Sequence, residues 1–110
     1  MHIIVMNDHP GEGVFPLFPK SSQVLQTGPL CTHYENWYPC TIDGHQTYVP
    51  TIFVRDGKLV RDYNPTELVC KMGETLEVTE IVYAWLFVKN AAGESGWFPA
   101  ERACSGTVVS

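Results

Sequence analysis

The sequence predicts an all-β fold of short antiparallel strands, and three observations support that class. Runs rich in β-branched and aromatic residues are short, and turn signals interrupt them roughly every 8 to 12 residues. Two of these turns contain Asp-Gly, a strong signal for a two-residue hairpin because both residues tolerate positive φ. The 9 glycines and 8 prolines are spread through all 110 residues, and no segment keeps the 3.6-residue period of a helix. A small barrel or sandwich is therefore expected.

The predicted strands begin with HIIVM, which is followed by the polar loop NDHPGEG. NWYPCTI and HQTYV flank the turn Asp43-Gly44, and IFV and KLVRDY flank the turn Asp56-Gly57. Each of these pairs is typical of a β-hairpin. TLEVTEIVYAWLFV is the longest β stretch, and SGWF is expected to pair back with it across NAAG.

Composition and charge limit the class of function. The chain is 45% apolar and 17% charged, which is typical of a globular protein. Its net charge is −5 and it has no cluster of Lys or Arg, so a basic protein partner fits better than nucleic acid. No apolar run reaches membrane-spanning length, and the N-terminus lacks the features of a signal peptide. These patterns predict a cytoplasmic protein that does not enter a membrane.

The four cysteines do not indicate a metal or cofactor site. Cys31, Cys40, Cys70 and Cys104 form no C-x-x-C pair, and their spacing matches no zinc motif. Cys40 and Cys70 stand in apolar strand patterns, where a free thiol packs as a small hydrophobic residue. We therefore expect free thiols, no metal and no other cofactor.

The chain also contains an internal repeat. Trp37 aligns with Trp85 and Pro50 aligns with Pro99, each pair enclosing a predicted hairpin. Farther upstream, LQTGPL is similar to CKMGETL, which places Gly28 over Gly73. These matches predict two copies of one motif of about 50 residues.

The second repeat resembles the Src-homology-3 domain family in several segments that occur in the family's order. LVRDYNPTEL is similar to the family's ALYDY strand and the loop after it, KMGETLEV to its diverging turn, and GESGWFPAER to its closing segment. In the first repeat TYVPTIFV is similar to the closing segment, but no equivalent of the ALYDY strand can be placed. The resemblance implies two five-stranded barrels in tandem, formed by residues 1–55 and 56–110.

The resemblance also implies a peptide-binding groove lined by aromatic side chains and proline. This sequence has Arg61 and Arg102 where the family has tyrosines, so any ligand is expected to bind in an altered register. The implied ligand is a protein or peptide, Pro-rich or basic, and the implied function is that of an interaction or regulatory module. The site residues carried over are Tyr63, Trp85 and Pro99 with the carboxylates Asp62 and Glu67 in the second repeat, and Trp37, Pro50 and Phe53 in the first.

The sequence leaves two choices open. The chain is alternatively a structural or accessory subunit, or a self-associating module, in which no peptide groove is used. Solvent exposure of Trp37 and Trp85 beside Tyr63 and Phe53 would favour peptide recognition, whereas packing between the two barrels that covers both tryptophans would favour the structural alternative. The segment PLFPK, residues 16–20, is either a built-in P-x-x-P ligand or a core element held by Phe15 and Phe18. The second interpretation is favoured.

An enzymatic function is not expected. If Asp43-Gly44 is the turn, Ile42 lies opposite His45, and Cys40 is diagonal to that histidine at roughly 7–8 Å. This is too far for the imidazole to activate the thiol directly. The sequence also lacks a nucleophile elbow, a phosphate-binding loop and a carboxylate pair in a polar setting.

Overall fold

The computed structural model describes residues 1–11, 13–32 and 35–105, the last of these without its side chain. The chain is mostly β structure, which confirms the predicted all-β class. Within these ranges the sheets are small and antiparallel, and none closes into a barrel. No helix in the described part of the chain is long and apolar enough to cross a membrane.

Ten short strands and two 3₁₀ turns make up the regular structure of the described residues. The 3₁₀ turns are Thr51–Phe53 and Ala100–Arg102. The strands are β1 (His2–Val5), β2 (Val24–Gln26), β3 (Trp37–Ile42), β4 (His45–Pro50), β5 (Val54–Arg55), β6 (Lys58–Leu59), β7 (Thr75–Val82), β8 (Trp85–Lys89), β9 (Ser95–Pro99) and β10 (Ala103–Ser105).

These elements form two compact units, which we call the split unit and the continuous unit. The split unit combines Met1–Val14 with Thr66–Ser110, and the continuous unit is Phe15–Pro65. The split unit holds one five-stranded sheet with the order β10-β1-β7-β8-β9. Its core consists of the buried side chains Ile3, Val5, Leu68, Cys70, Leu76, Leu86, Val88 and Phe98.

The continuous unit has a three-stranded sheet, β2-β3-β4, and a two-stranded ribbon, β5-β6. An isolated bridge between Gln23 and Lys58 connects the ribbon to the chain just before β2. Cys40, Ile42 and Val49 are buried on β3 and β4, as the alternation of apolar residues predicts. Small units of this size bury only about 60% of the surface of the unfolded chain, so single core residues matter strongly.

The Asp-Gly turns form as predicted. Asp43 and Gly44 have φ of 49° and 79°, and Asp56 and Gly57 have φ of 53° and 74°. Positive φ at both central positions is the type I′ geometry, which matches the twist of the two strands that it joins. The longest predicted β stretch is divided by another tight turn, because Tyr83 adopts a φ of 54° and the chain reverses between β7 and β8.

The two units repeat the same geometry around the predicted Trp and Pro matches. Trp37 lies opposite Pro50 in the β3–β4 pair, and Trp85 lies opposite Pro99 in the β8–β9 pair. Each proline begins a 3₁₀ turn with similar backbone angles. The first residue of each turn then donates an N–H to the carbonyl of the residue before the tryptophan, at 2.9 Å in both units.

Each predicted repeat begins with a strand, β1 in the first and β6 in the second. In the structure each of these first strands is part of the unit built from the other repeat, so the two strands are exchanged within the chain. Val5 of β1 makes two main-chain hydrogen bonds with residues 73–74, and Leu59 of β6 makes the same two bonds with residues 21–22. β1 therefore completes the unit built from the second repeat, and β6 completes the unit built from the first. This supplies the first repeat with the strand that could not be placed from the sequence.

The Asp56-Gly57 turn explains this exchange. A two-residue turn makes the strands on its two sides neighbours in one ribbon, so β6 must pair with β5 of the first repeat. The place beside β10 in the second repeat is then filled by β1. The observed divisions lie at residues 14/15 and 65/66, whereas the division predicted from the sequence, at 55/56, falls inside the β5–β6 turn.

One detail of the predicted repeat is wrong. Gly28 follows β2, whereas Gly73 precedes β7, so the two glycines are not equivalent. The residue that corresponds to Gly73 is Ser21: their φ values are 93° and 77°, and each donates its N–H to the last residue of a first strand. The sequence match fails because the first repeat holds a serine in the left-handed conformation for which a glycine is expected.

Candidate functional site

The aromatic residues predicted to line a groove are buried. Trp37 is 5% exposed and Trp85 is 6% exposed. The other apolar members of the predicted site, Tyr63, Phe53, Pro50 and Pro99, are buried as well. Both tryptophan rings therefore present little of their surface to solvent in this structure.

The predicted site residues are also distributed differently between the units. Trp85, Pro99 and Glu67 belong to the split unit, whereas Asp62 and Tyr63 belong to the continuous unit together with Trp37, Pro50 and Phe53. This follows from the exchange of β1 and β6, because Asp62 and Tyr63 follow β6 along the chain.

Within the continuous unit the residues after β6 pack on the 3₁₀ turn. The ring of Tyr63 meets that of Phe53 edge-on with centroids 5.4 Å apart, and the Arg61 guanidinium lies 4.4 Å above the Phe53 ring. The Tyr63 hydroxyl donates a hydrogen bond to the Tyr48 carbonyl at 2.6 Å. These contacts pack Tyr63, Phe53 and Arg61 together within the continuous unit.

Both predicted acidic residues bind groups within their own unit. Asp62 accepts a hydrogen bond from the Lys20 main-chain N–H at 2.8 Å. In the split unit Asp8 accepts one from the Met72 N–H in the same way at 2.7 Å. Glu67 lies 2.7 Å from Nε2 of His9, and so accepts a hydrogen bond from that ring nitrogen. The carboxylates predicted to bind a basic ligand thus stabilise loops.

His9 is a buried residue that the sequence did not single out, because it falls in an apparent loop. Its ring packs edge-on against Trp85 and Phe98, with centroid distances of 6.1 and 5.6 Å. Its main chain pairs with Cys70 in an antiparallel bridge. Together with the Glu67 contact, this arrangement attaches the loop after β1 to the sheet.

The PLFPK segment is attached to the core of the continuous unit by Phe18 alone, since Phe15, the second anchor predicted from the sequence, is only half-buried. Phe18 is 1% exposed, and it exchanges two main-chain hydrogen bonds of 2.8 Å with Tyr63. Its ring lies 5.5 Å from that of His45. The two prolines on either side of Phe18 remain exposed.

Beside this segment the continuous unit has an open groove of about 560 Å³. Leu17 and Leu25 are 57% and 59% exposed and form its apolar wall, and Asp43 contributes a carboxylate. The complete lining consists of Pro16, Leu17, Phe18, Pro19, Ser22, Gln23, Leu25, Thr41, Asp43 and Gly44. We call this surface the Leu17–Leu25 groove.

The split unit has charged residues at the strand positions that correspond to this groove. Leu25 faces Thr41 across β2 and β3, whereas Glu77 faces Lys89 across β7 and β8. Exposed apolar side chains also occur on other strands, at Ile81 of β7 and Tyr48 of β4. Leu25 differs from them because it lines a groove together with a second exposed leucine, Leu17. The equivalence of Leu25 and Glu77 cannot be seen while Gly28 is aligned with Gly73. It follows only when Ser21 is aligned with Gly73, as the structure requires.

Among the described residues, Cys40 and His45 are not directly opposed on their strands. All four cysteines are free, and the register places Ile42, and not Cys40, opposite His45. Burial raises the pKa of the Cys40 thiol to about 12. Burial, with a smaller contribution from Glu74, raises the pKa of Cys70 to about 11. Within the described ranges, no three His, Cys, Asp or Glu side chains are grouped so that they could hold a metal ion.

Thiol labelling should separate these cysteines. At pH 8 a thiol with a pKa of about 12 is ionised in only about one molecule in ten thousand, and the thiolate is the reactive form. We expect iodoacetamide to label exposed Cys104 in the folded chain and to label Cys40 and Cys70 only after denaturation. Peptide mass spectrometry after timed quenching measures this. Labelling of Cys40 at the rate of Cys104 in the folded chain would contradict the packing described above.

No protein family model, curated protein or solved structure matches this chain.

Proposed function

We propose that the chain is a non-catalytic protein-interaction module that binds a partner at the Leu17–Leu25 groove. The observation that carries this proposal is the exposure of Leu17 and Leu25 along one open groove, where Leu25 holds the strand position that Glu77 holds in the other repeat. Apolar surface that is kept exposed next to polar residues is typical of a docking site.

The partner we propose is a protein segment with apolar side chains and one basic residue. The leucines provide the apolar contact, and Asp43 lies in the groove wall where it can pair with a Lys or Arg of the partner. The continuous unit has four Asp/Glu and four Lys/Arg, whereas the split unit has eight and three, so the net charge of −5 belongs to the split unit. That charge would attract a basic partner over a longer range.

We also propose that both units are variant Src-homology-3-like domains whose first strands are exchanged. Supporting this are the five-strand order of the split unit and the 3₁₀ turn between its last two strands. The free cysteines support a cytoplasmic, reducing setting. In this proposal the predicted aromatic residues serve mainly as packing, and the partner binds at the Leu17–Leu25 groove instead.

A structural or self-associating function is the second candidate. The observation that favours it is the burial of both Trp37 and Trp85, since a module that used its aromatic groove for peptides would keep these rings accessible. In this alternative the chain is an accessory subunit and the Leu17–Leu25 groove has no separate partner.

A charge placed in the groove should distinguish these functions. We expect Leu25→Glu to abolish capture of the partners that the wild-type chain retains from its native host, because a charged side chain would replace the apolar contact that Leu25 provides. The matched control is Ile81→Glu, which places the same charge at a residue that is 58% exposed in the split unit. Circular dichroism checks that both variants are folded.

Loss of the same partners in both variants would contradict a groove-specific site. Equal capture by Leu25→Glu and the wild type would move the binding surface elsewhere. If Pro-rich, basic and acidic peptides as well as host proteins all fail to bind the wild type, the structural alternative is the better one.

A further inference from the structure

The place of β1 in the split unit lies between two other strands. Ile3 of β1 pairs with Leu76 of β7 on one side and with Ser105 of β10 on the other. In the sheet order, β7 and β10 do not pair with each other. Removal of β1 would therefore expose two unpaired strand edges, which readily accept another extended chain.

Residues 1–9 form the element that fills this place. Besides the β1 pairing, the Met6 N–H donates to the Arg102 carbonyl at 2.7 Å, and His9 exchanges main-chain hydrogen bonds with Cys70 at 2.8 and 3.0 Å. All of these contacts lie within the split unit. They are the same whether residues 1–9 come from the same chain or from another copy of it.

The connection from this element to the continuous unit is residues 10–14. Gly11 and Gly13 have φ of 72° and 113°. A Cβ at Gly11 would lie 3.3 Å from the Glu67 carbonyl oxygen, whereas nothing lies within 4 Å of the place where a Cβ of Gly13 would be. Glycines in such conformations reach other backbone angles at little cost. Gly13 can therefore act as the hinge of an exchange; Glu12 beside it lies outside the described residues.

The corresponding strand of the continuous unit is held differently. β6 is joined to β5 by the two-residue turn Asp56-Gly57, so it cannot reach a second copy without breaking that hairpin. Of the two first strands, β1 is the one that can be exchanged between chains.

We propose that two copies of this chain exchange β1, so that His2–Val5 of each copy lies between β7 and β10 of the other. The occupant of the site is thus a second copy of the chain. Since the paired contacts are unchanged, the balance between monomer and dimer depends on the hinge and on protein concentration, as in other strand exchanges. The dimer then carries two Leu17–Leu25 grooves and can bind a bivalent partner more tightly.

A single substitution makes the exchange measurable, because Ile4 lies directly opposite the native Cys104. In a chain that carries Ile4→Cys and Cys31→Ser, the thiol introduced on β1 should form a disulfide with Cys104 of β10. The protein is unfolded in guanidinium chloride, refolded at concentrations from about 10 μM to on the order of 1 mM, and then oxidised. Non-reducing gels and size-exclusion chromatography separate disulfides within a chain from those between chains.

We expect disulfides within the chain at low concentration, and a between-chain fraction that rises roughly tenfold with each tenfold increase in concentration while it is small. Deletion of Gly13 and Val14 should move this rise to lower concentrations, because a shortened hinge favours exchange. The control is Arg55→Cys with Lys58→Cys in the Cys31→Ser, Cys104→Ser chain, a directly opposed pair in the β5–β6 ribbon. Its disulfide should stay within the chain at every concentration.

Two results would overturn the proposal. One is a β1–β10 disulfide that stays within the chain up to the solubility limit, in both the full-length and the shortened-hinge forms. The other is a concentration-dependent between-chain band that persists when Cys104→Ser is added to Ile4→Cys, because such a dimer would not involve the pairing of β1 with β10.

Discussion

Val5→Asp is expected to unfold the split unit and to leave the continuous unit folded. Val5 is 1% exposed and belongs to the core formed with β7, β8 and β9. A carboxylate buried there without a partner should cost at least about 4 kcal/mol, which is most of the stability of a unit of this size. In the NMR spectrum the indole signals of Trp85 and Trp97 should collapse towards random-coil positions, and that of Trp37 should stay dispersed.

The matched variant is Leu59→Asp, because Leu59 holds the equivalent position in β6 and is 2% exposed. It should have the opposite effect, with loss of the Trp37 signal first. If the first strands were not exchanged, β1 would complete the first repeat, and Val5→Asp would unfold the surroundings of Trp37 instead. The pair of variants therefore tests the connectivity of the fold, independently of any binding function.

The hairpins and the core alternation could be predicted from the sequence because they depend on neighbouring residues. Asp43-Gly44 and Asp56-Gly57 determine their own backbone conformation, and a two-residue turn sets the register of the strands beside it. Likewise, Cys40 and Ile42 alternate with Thr41 in the sequence, and the two apolar side chains are the buried ones. Local chemistry is sufficient for these elements.

The exchange of first strands could not be predicted in the same way. HIIV and KLVRDY each contain a short apolar run that fits a strand, and neither contains a signal that specifies the strands with which it pairs. The pairing of β6 with β5 follows from the Asp56-Gly57 turn. The resemblance places a domain boundary next to this turn. A two-residue hairpin and a domain boundary cannot occupy one position, because the hairpin holds both of its strands in one ribbon.

The candidate site could not be found from the sequence for a related reason. The resemblance implies a site of aromatic residues such as Trp37 and Trp85. The strand positions of these residues can be predicted from the sequence, but their burial depends on packing by distant segments. Leu25 was identified as a candidate binding residue only from its structural equivalence with Glu77. Comparison of the two repeats position by position is thus more informative here than the motif.

Gly96→Ala is the second substitution expected to have a large effect, because another part of the chain passes close to this residue. A Cβ at Gly96 would lie 2.7 Å from the Leu68 N atom and 3.0 Å from the Thr66 carbonyl oxygen. Both are main-chain atoms, so relief requires movement of the segment that pairs with the outer edge of β9. That segment is held by hydrogen bonds from the Trp97 N–H to Thr66 at 2.9 Å and from the Leu68 N–H to Trp97 at 3.0 Å.

Displacement of this segment should also withdraw Leu68 from the core of the split unit, where it is 7% exposed. We expect a loss of about 3 kcal/mol in the free energy of unfolding, from strain and lost apolar burial together. Urea melts followed by Trp fluorescence measure it, with Ser95→Ala as the control on the same strand, for which a change within about 0.5 kcal/mol is expected. If Gly96→Ala were as stable as Ser95→Ala, the segment would not pack against β9 as closely as described, and the attachment of the loop after β1 through Glu67 and His9 would have to be revised.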